Sequence, residues 1–529
     1  MHGRIKVRTT EEEKAKKERE RQEKLKIFKH AMQKIQYKRK QGELDEEQLN
    51  LTGNVLSSNP DIYTLWNIRR EILSDFRNNK TEEEISKLYD AELSLTEYCL
   101  KINPKSYCAW HQREWVLTTR SDPDWKKELG LCNTYLKLDE RNFHTWDYRR
   151  FVVSQCKPSL KEEFDYTTEK LHENFSNYSA WHYRSKMLLQ LYPDLEGGRP
   201  IQDSHHKHEL KMVLSAAFTD PDDTSAWFYQ RWLLGAVKIT TSVVVCTITA
   251  TKTSVAFSHT VSIDYINSNI NLFINDVKVN GEWSSCTGCE NDDLWIFKHN
   301  QIITDKLIIK LEHNVSNDEK EVIQLEEYKP CYYVGKNKIN FQNKYSASVL
   351  EELNEQLDAC RQLLILEPDN RWTLLTTTFF LQCIDSKVYH KEIIGNLDLL
   401  MKLDKQRAGY YSDLKSKWLI EFFLPEHYTK MNIDYNVAFR NLTSLPHLQY
   451  YSFCEDVDLS NQNLTSKVLP SLIKLQHCKK LNLSNNKLTT LNGFPSLQLE
   501  ELNITQGNNL DLKDIEQFKK KHNNIKVIL

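Results

Sequence analysis

One tryptophan recurs at the same place in segment after segment. Trp66, Trp110, Trp146, Trp181 and Trp227 follow one another at spacings of 44, 36, 35 and 46 residues. Their surroundings repeat too. Asn59-Pro60, Asn103-Pro104 and Asp220-Pro221 precede three of them, and Arg69, Arg113, Arg149 and Arg184 follow the first four at the third position. A weaker sixth copy is Glu367-Pro368-Asp369-Asn370-Arg371-Trp372. A period of this size holds two helices and two turns. The Asn-Pro and Asp-Pro pairs predict an N-cap with proline at the first helical position, Trp standing about two turns further on. Trp and the Arg after it share a face. Trp is expected to fill the seam between hairpins, and Arg to pack its stem while its head reaches a polar edge. One hairpin cannot bury its face alone, so the copies predict a right-handed α-solenoid or crescent.

Composition agrees with long helices. The 529 residues include only 14 Gly and 13 Pro, against roughly 7% and 5% in ordinary chains. The net charge of -2 hides a basic head, because residues 1–40 carry 15 Lys/Arg against 6 Asp/Glu. Residues 9–40 read as a charged helix whose C-terminal half docks through Leu25, Phe28, Met32 and Ile35. At about 237 the grammar changes: Val, Ile and Thr dominate through Ile263, which is strand chemistry. Helical periodicity returns near Ser348. A third grammar follows, in which Val457-Asp458-Leu459-Ser460-Asn461-Gln462-Asn463-Leu464 recurs as Leu481-Asn482-Leu483-Ser484-Asn485-Asn486-Lys487-Leu488. That is leucine-rich repeat spacing, with flanking copies at Val437…Leu442 and Leu502…Leu510. The predicted fold is mainly α: a hairpin solenoid over 41–236 and 346–435, an inserted β-sandwich over 237–345, and a small leucine-rich module over 436–529.

Catalytic grammar is scarce. The chain has no phosphate loop, no dinucleotide fingerprint, no zinc-protease helix and no nucleophile elbow. Its 12 Cys include one CxxC, Cys286 and Cys289, without a second pair, which predicts reduced thiols in a cytoplasmic protein. His205, His206 and His208 follow Gly197-Gly198 in what reads as a loop. No apolar run is long enough to span a bilayer, and nothing points to nucleic acid. These observations describe a scaffold, or a subunit that completes another chain's active site.

The repeat of Asn/Ser-Tyr/Phe-x-x-Trp-x-x-Arg resembles the protein prenyltransferase α-subunit repeat. Together with the β-insert, the leucine-rich copies and the opening Met1-His2-Gly3-Arg4, the whole chain resembles the α-subunit family of Rab geranylgeranyltransferases. That resemblance implies an obligate heterodimer. A β subunit would carry Zn2+ and the lipid pocket, with this chain wrapped around it. The pair would transfer geranylgeranyl from geranylgeranyl diphosphate to cysteines of Rab GTPases presented by Rab escort protein. It further implies that Lys105, in Pro104-Lys105-Ser106-Tyr107, stabilises the leaving diphosphate, with Tyr107 beside it. Asn142-Phe143-His144 matches an Asn-Tyr-His segment, so Asn142 and His144 are weaker candidates and Phe143 lacks the phenol. His2 is a candidate reversible ligand to the partner's zinc. Two other readings are a non-enzymatic helical-repeat adaptor, and a farnesyltransferase or type I geranylgeranyltransferase α subunit, which would lack the two added modules.

Overall fold

The computed structural model describes residues 11–315, 319–428, 432–435, 439 and 441–529. His2 and Val437 lie outside them. The chain divides into two compact units after Leu191.

The first unit is all helical: α1 (Glu11–Gln41), α2 (Glu46–Leu56), α3 (Tyr63–Asn79), α4 (Glu82–Ile102), α5 (Tyr107–Thr119), α6 (Trp125–Leu138), α7 (Phe143–Cys156), α8 (Leu160–Glu173) and α9 (Tyr178–Leu191). From α2 onward they pair as antiparallel hairpins. Residues 11–30 of α1 are exposed, and the helix meets the core through Met32, Ile35 and Lys38. Capping boxes start α4 (Thr81 with Glu84) and α8 (Ser159 with Glu162). Each closes two orphan backbone donors.

Two expectations need correction. Asn59, Asn103 and Asp220 are not N-caps; Asn103 and Asp220 end the preceding helices. In each of the five copies before the insert an Asn or Asp at this place folds back on the turn. Asn59, Asn103, Asp139, Asn174 and Asp220 accept from the backbone N–H two residues on, that of Asp61, Lys105, Arg141, Ser176 and Asp222 respectively. This is the Asx-turn that the same residue types favour. The helix starts later, so Trp sits in its first turn.

Each tryptophan also latches its own turn. The indole N–H donates to the carbonyl six residues back: Trp66 to Pro60 (2.8 Å), Trp110 to Pro104 (3.0 Å), Trp146 to Glu140 (2.8 Å), Trp181 to Phe175 (2.8 Å) and Trp227 to Pro221 (2.9 Å).

The second correction concerns the arginines. Arg69, Arg113 and Arg149 do not reach a polar edge. They are buried, and each pairs with a buried glutamate of the next hairpin: Arg69 with Glu92, Arg113 with Glu128 and Arg149 with Glu163. Arg113 also donates to the Leu93 carbonyl and to Thr96 of its own hairpin. One guanidinium therefore joins three helices, using the fork of donors that lysine lacks.

The second unit opens with α10 (Asp203–Thr219) and α11 (Thr224–Gly235). His205, His206 and His208 lie on α10 and not in a loop; His206 is buried against the Leu233 carbonyl. The inserted sheet comprises β1 (Val243–Thr249), β2 (Thr253–Ser262), β3 (Ile270–Ile274), β4 (Val277–Lys278), β5 (Gly281–Ser285), β6 (Asn291–His299), β7 (Ile309–Asn314), β8 (Lys320–Lys329) and β9 (Tyr332–Lys336), with a short α12 (Ile263–Asn269). They form one antiparallel sheet in the order β4-β3-β7-β8-β9-β1-β2-β6-β5. It curls at β8, where Lys320–Leu325 pair with β7 and Glu326–Lys329 pair with β9. The curl encloses a core around Phe257, Trp295, Leu311, Ile323 and Tyr333. The CxxC lies in the β5–β6 hairpin loop.

The insert begins and ends at one place. The Tyr345 hydroxyl donates to the Leu234 carbonyl (2.5 Å), and Gln230 donates to Gln356 (2.8 Å) across it. The hairpins then continue as α13 (Ala347–Leu366), α14 (Arg371–Asp385), α15 (His390–Leu403) and α16 (Ala408–His427).

A five-stranded parallel sheet completes the chain: β10 (Asn432–Asp434), β11 (Asp456–Asp458), β12 (Lys480–Asn482), β13 (Glu501–Asn503) and β14 (Lys526–Ile528), in sequence order. Val457, Leu481, Leu502 and Val527 stand in register. Gln462, Asn486 and Asn508 recur along the coils. Asn486 accepts from Leu464 N–H and donates to the Leu459 carbonyl.

Candidate functional site

Lys105 stands in the turn between α4 and α5. Pro104 fixes the turn's entry, the Asn103 side chain accepts from Lys105 N–H at 3.1 Å, and Ser106 caps α5 by accepting from Ala109 N–H. Ser106 is fully buried, while Lys105 is exposed. The buried neighbours thus hold the backbone and leave the ammonium in solvent.

The next hairpin supports this turn through Asn142. Its Oδ1 accepts from His144 N–H (3.1 Å), capping α7, and its Nδ2 donates to the Pro104 carbonyl (3.1 Å). The same carbonyl accepts from the Trp110 indole. Two donors from two hairpins therefore converge on the peptide unit that precedes Lys105. Asn142 is 2% exposed, so its amide positions the turn and does not face solvent.

Tyr107 and Phe143 are each the first residue of their helices, and both are exposed. The Tyr107 ring meets His144 edge-on at 4.2 Å, and Phe143 stacks on His144 at 4.0 Å. His144 is thereby buried between two rings. That burial lowers its pKa from the ordinary 6.5, outweighing the opposing charge of Asp147, and the Lys105 charge adds a smaller push in the same direction as burial. The imidazole is neutral at pH 7 and retains one N–H to give.

The structure therefore brings Lys105, Tyr107, Asn142 and His144 together, while His2 falls outside the described residues. It also adds residues that the sequence reading passed over. A cleft of about 240 Å³ is lined by Tyr107, His111, His144 and Asp147, and a second of about 340 Å³ by Tyr63, Arg70, Tyr107 and His111. His111 and Asp147 each follow a repeat Trp directly, a position whose chemistry varies from copy to copy and which carried no motif. Among the described residues no three His, Cys, Asp or Glu side chains converge as metal ligands. Nor is any described helix long and apolar enough to cross a membrane.

The arrangement can present one cation, one imidazole N–H and a phenol to an anion carried by another chain. Comparison with known proteins gives it context. The family described as the protein prenyltransferase alpha subunit repeat matches residues 45–76, 89–120, 125–156, 160–191 and 206–237. Among curated proteins, the chain is similar to the geranylgeranyl transferase type-2 subunit alpha of Rattus norvegicus, 37% identical over 95% of this chain and 90% of the relative. The Homo sapiens protein of the same description is also 37% identical, with the same coverage. That of Schizosaccharomyces pombe is 40% identical over 44% of this chain and 71% of its own length.

Proposed function

The chain belongs to the geranylgeranyl transferase type-2 alpha-subunit family, and from that premise we propose that it is the non-zinc subunit of a heterodimer that transfers geranylgeranyl from geranylgeranyl diphosphate to C-terminal cysteines of Rab GTPases presented by Rab escort protein. The partner β subunit holds Zn2+ and the lipid, this chain wraps it, and neither the chain alone nor its turns perform transfer. The zinc supplies an activated thiolate; every contribution of this chain is electrostatic or positional. In this reading residues 41–236 and 346–435 are the helical domain, 237–345 the β-sandwich insert and 436–529 the leucine-rich module, behind a basic head over 1–40. The enzyme works in the cytoplasm.

The observation that carries the site assignment is the convergence of Asn142 and Trp110 on the Pro104 carbonyl. As the carbon–oxygen bond to diphosphate breaks, negative charge grows on the leaving oxygens. The turn holds the Lys105 backbone in place, and its ammonium supplies positive charge to the leaving oxygens, which is electrostatic stabilisation of the transition state. His144, held neutral, donates its N–H to the same anion, and Tyr107 donates its hydroxyl. Phe143 has no hydroxyl to add.

Lys105→Ala in the assembled enzyme is expected to lower kcat by roughly 10- to 1,000-fold with Rab binding intact. Single-turnover transfer assays beside a Rab-binding titration check this, and an unchanged rate removes Lys105 from the mechanism. Co-purification with a prenyltransferase β chain tests the adaptor reading, and dependence on escort protein separates this enzyme from the farnesyltransferase type. His2 is read as a reversible ligand that occupies the partner's zinc at rest. His2→Ala should leave turnover unchanged and alter zinc coordination seen by X-ray absorption.

A further inference from the structure

The sixth tryptophan breaks the latch that the other five make. Pro368 stands four residues before Trp372, where Pro60, Pro104 and Pro221 stand six before theirs. Trp372 is the second residue of α14, whereas Trp66, Trp110, Trp146, Trp181 and Trp227 are each the fourth of their helices, so its indole does not stand at the equivalent position and cannot reach back over the turn in the same way. The Trp372 indole N–H is buried with no acceptor among the described residues. Trp372 itself is 3% exposed. A buried donor left unsatisfied is costly, so this position is out of line with the rest of the fold.

Around the indole stand three guanidinium groups. Arg407 lies 4.7 Å from the ring centroid, and Arg231 and Arg371 each 5.6 Å. Cation–π attraction explains one of them well; it does not explain three mutually repelling charges. The nearby acid is Asp404, which is already taken up by Arg407 (2.7 Å) and the Tyr411 hydroxyl (2.9 Å). Arg231 has a buried Nη1 with no acceptor among the described residues. Burial lowers its pKa to about 10, and the neighbouring Arg407 adds to that effect. Two buried donors without acceptors and an excess of positive charge therefore share one place. Phe228 and Tyr410 stand beside it, 46% and 50% exposed, and mark its edge towards solvent.

We propose that Arg231, Arg371 and Arg407, gathered around Trp372, form a binding site for an oxyanion, a carboxylate or a phosphate, separate from the Lys105 site. The guanidinium forks suit two oxygens of such a group, and the indole N–H supplies a further donor. Phe228 and Tyr410 would form the rim. The site belongs to the helices on either side of the insert and would give that junction a ligand of its own.

The indole resonance of Trp372 in the full chain, labelled with 15N-tryptophan and assigned through Trp372→Phe, reads the site directly. Titration with inorganic phosphate and, separately, with acetate is expected to shift this resonance saturably. Arg231→Gln should weaken the response by roughly 10- to 100-fold. Arg371→Ala, an exposed change that spares the core, should weaken it as well. Assembly with the β subunit distinguishes the sources. If it shifts the resonance without added salt and blocks the phosphate response, a protein carboxylate fills the site. If phosphate still titrates after assembly, a free oxyanion does. A resonance unmoved by phosphate, acetate and assembly overturns the proposal, as does a response that survives both arginine variants.

Discussion

A single carboxamide, that of Asn142, caps its own helix with its oxygen and holds the neighbouring turn with its nitrogen. Asn142→Asp separates the two jobs, because a carboxylate still caps but cannot donate to the Pro104 carbonyl. The expected outcome is a lower kcat with KM for the lipid nearly unchanged and a stability loss of about 1–2 kcal/mol, read from steady-state kinetics and chemical denaturation. A second residue ties stability to pH. His477 lies where the insert meets the C-terminal coil, accepting or donating at Ser254 (3.2 Å). Burial, with Lys252 and Lys329 nearby, pushes its pKa down to about 3. The unfolded chain takes up a proton below about 6.5 that the folded chain refuses. Stability on account of this group is therefore full above pH 6.5 and falls as pH drops towards 3, by at most about 1.4 kcal/mol per unit. Urea midpoints measured from pH 7 to pH 4.5 should fall less steeply in His477→Gln than in the parent. Lys105, Tyr107, Asn142 and His144 could be named as candidates from the sequence because they sit in two short segments, 104–107 and 142–144. The roles of Asn142 and His477 could not, because each depends on a partner 38 and 223 residues away.

The hairpins owe their order to polar groups as much as to apolar ones. Arg113, Glu128 and Tyr148 form a closed set, with both carboxylate oxygens of Glu128 engaged. Removing one member strands a buried charge. Arg113→Leu should cost roughly 3–5 kcal/mol, and the double change Arg113→Leu with Glu128→Leu should recover part of that loss, as a double-mutant cycle in thermal unfolding would show. Residue spacing concealed these pairs. The glutamate follows its arginine by 23, 15 or 14 residues, on another helix and without a fixed offset. Tryptophan periodicity, by contrast, marked the five hairpins before the insert in order, while the α15–α16 hairpin carries no copy of the repeat. The Asn-Pro pairs misled for a physical reason: an Asx-turn and an N-cap use the same short acceptor side chain, and only the later start of the helix tells them apart.

The change of composition near 237 predicts strands but does not reveal that β1, at the middle of the sheet, is covered on both sides. Val243 to Ile248 are buried without alternation, the mark of a strand with no solvent face. Val245, Ala256, Leu294, Tyr332 and Val334 pack in one cluster with α16 and the C-terminal coil. The Tyr332 hydroxyl donates to the Phe453 carbonyl at 2.5 Å, and Lys329 pairs with Glu455. Deleting residues 237–345 and joining the adjacent ends should therefore leave α2–α9 folded and expose the apolar flank of the coil. Hydrogen exchange is expected to rise across 448–475 in the deletion variant and to stay unchanged across 63–156. The five Asx-turns carry a last consequence. Asp61, Lys105, Arg141, Ser176 and Asp222 occupy one equivalent position, and each gives its backbone N–H to the turn. The Asp61 carboxylate is tied in as well, by the Asn103 amide of the next turn, while the Lys105 side chain is exposed: the chain is a rack of like sockets, in which one plug helps to brace the frame and another is left to face outwards.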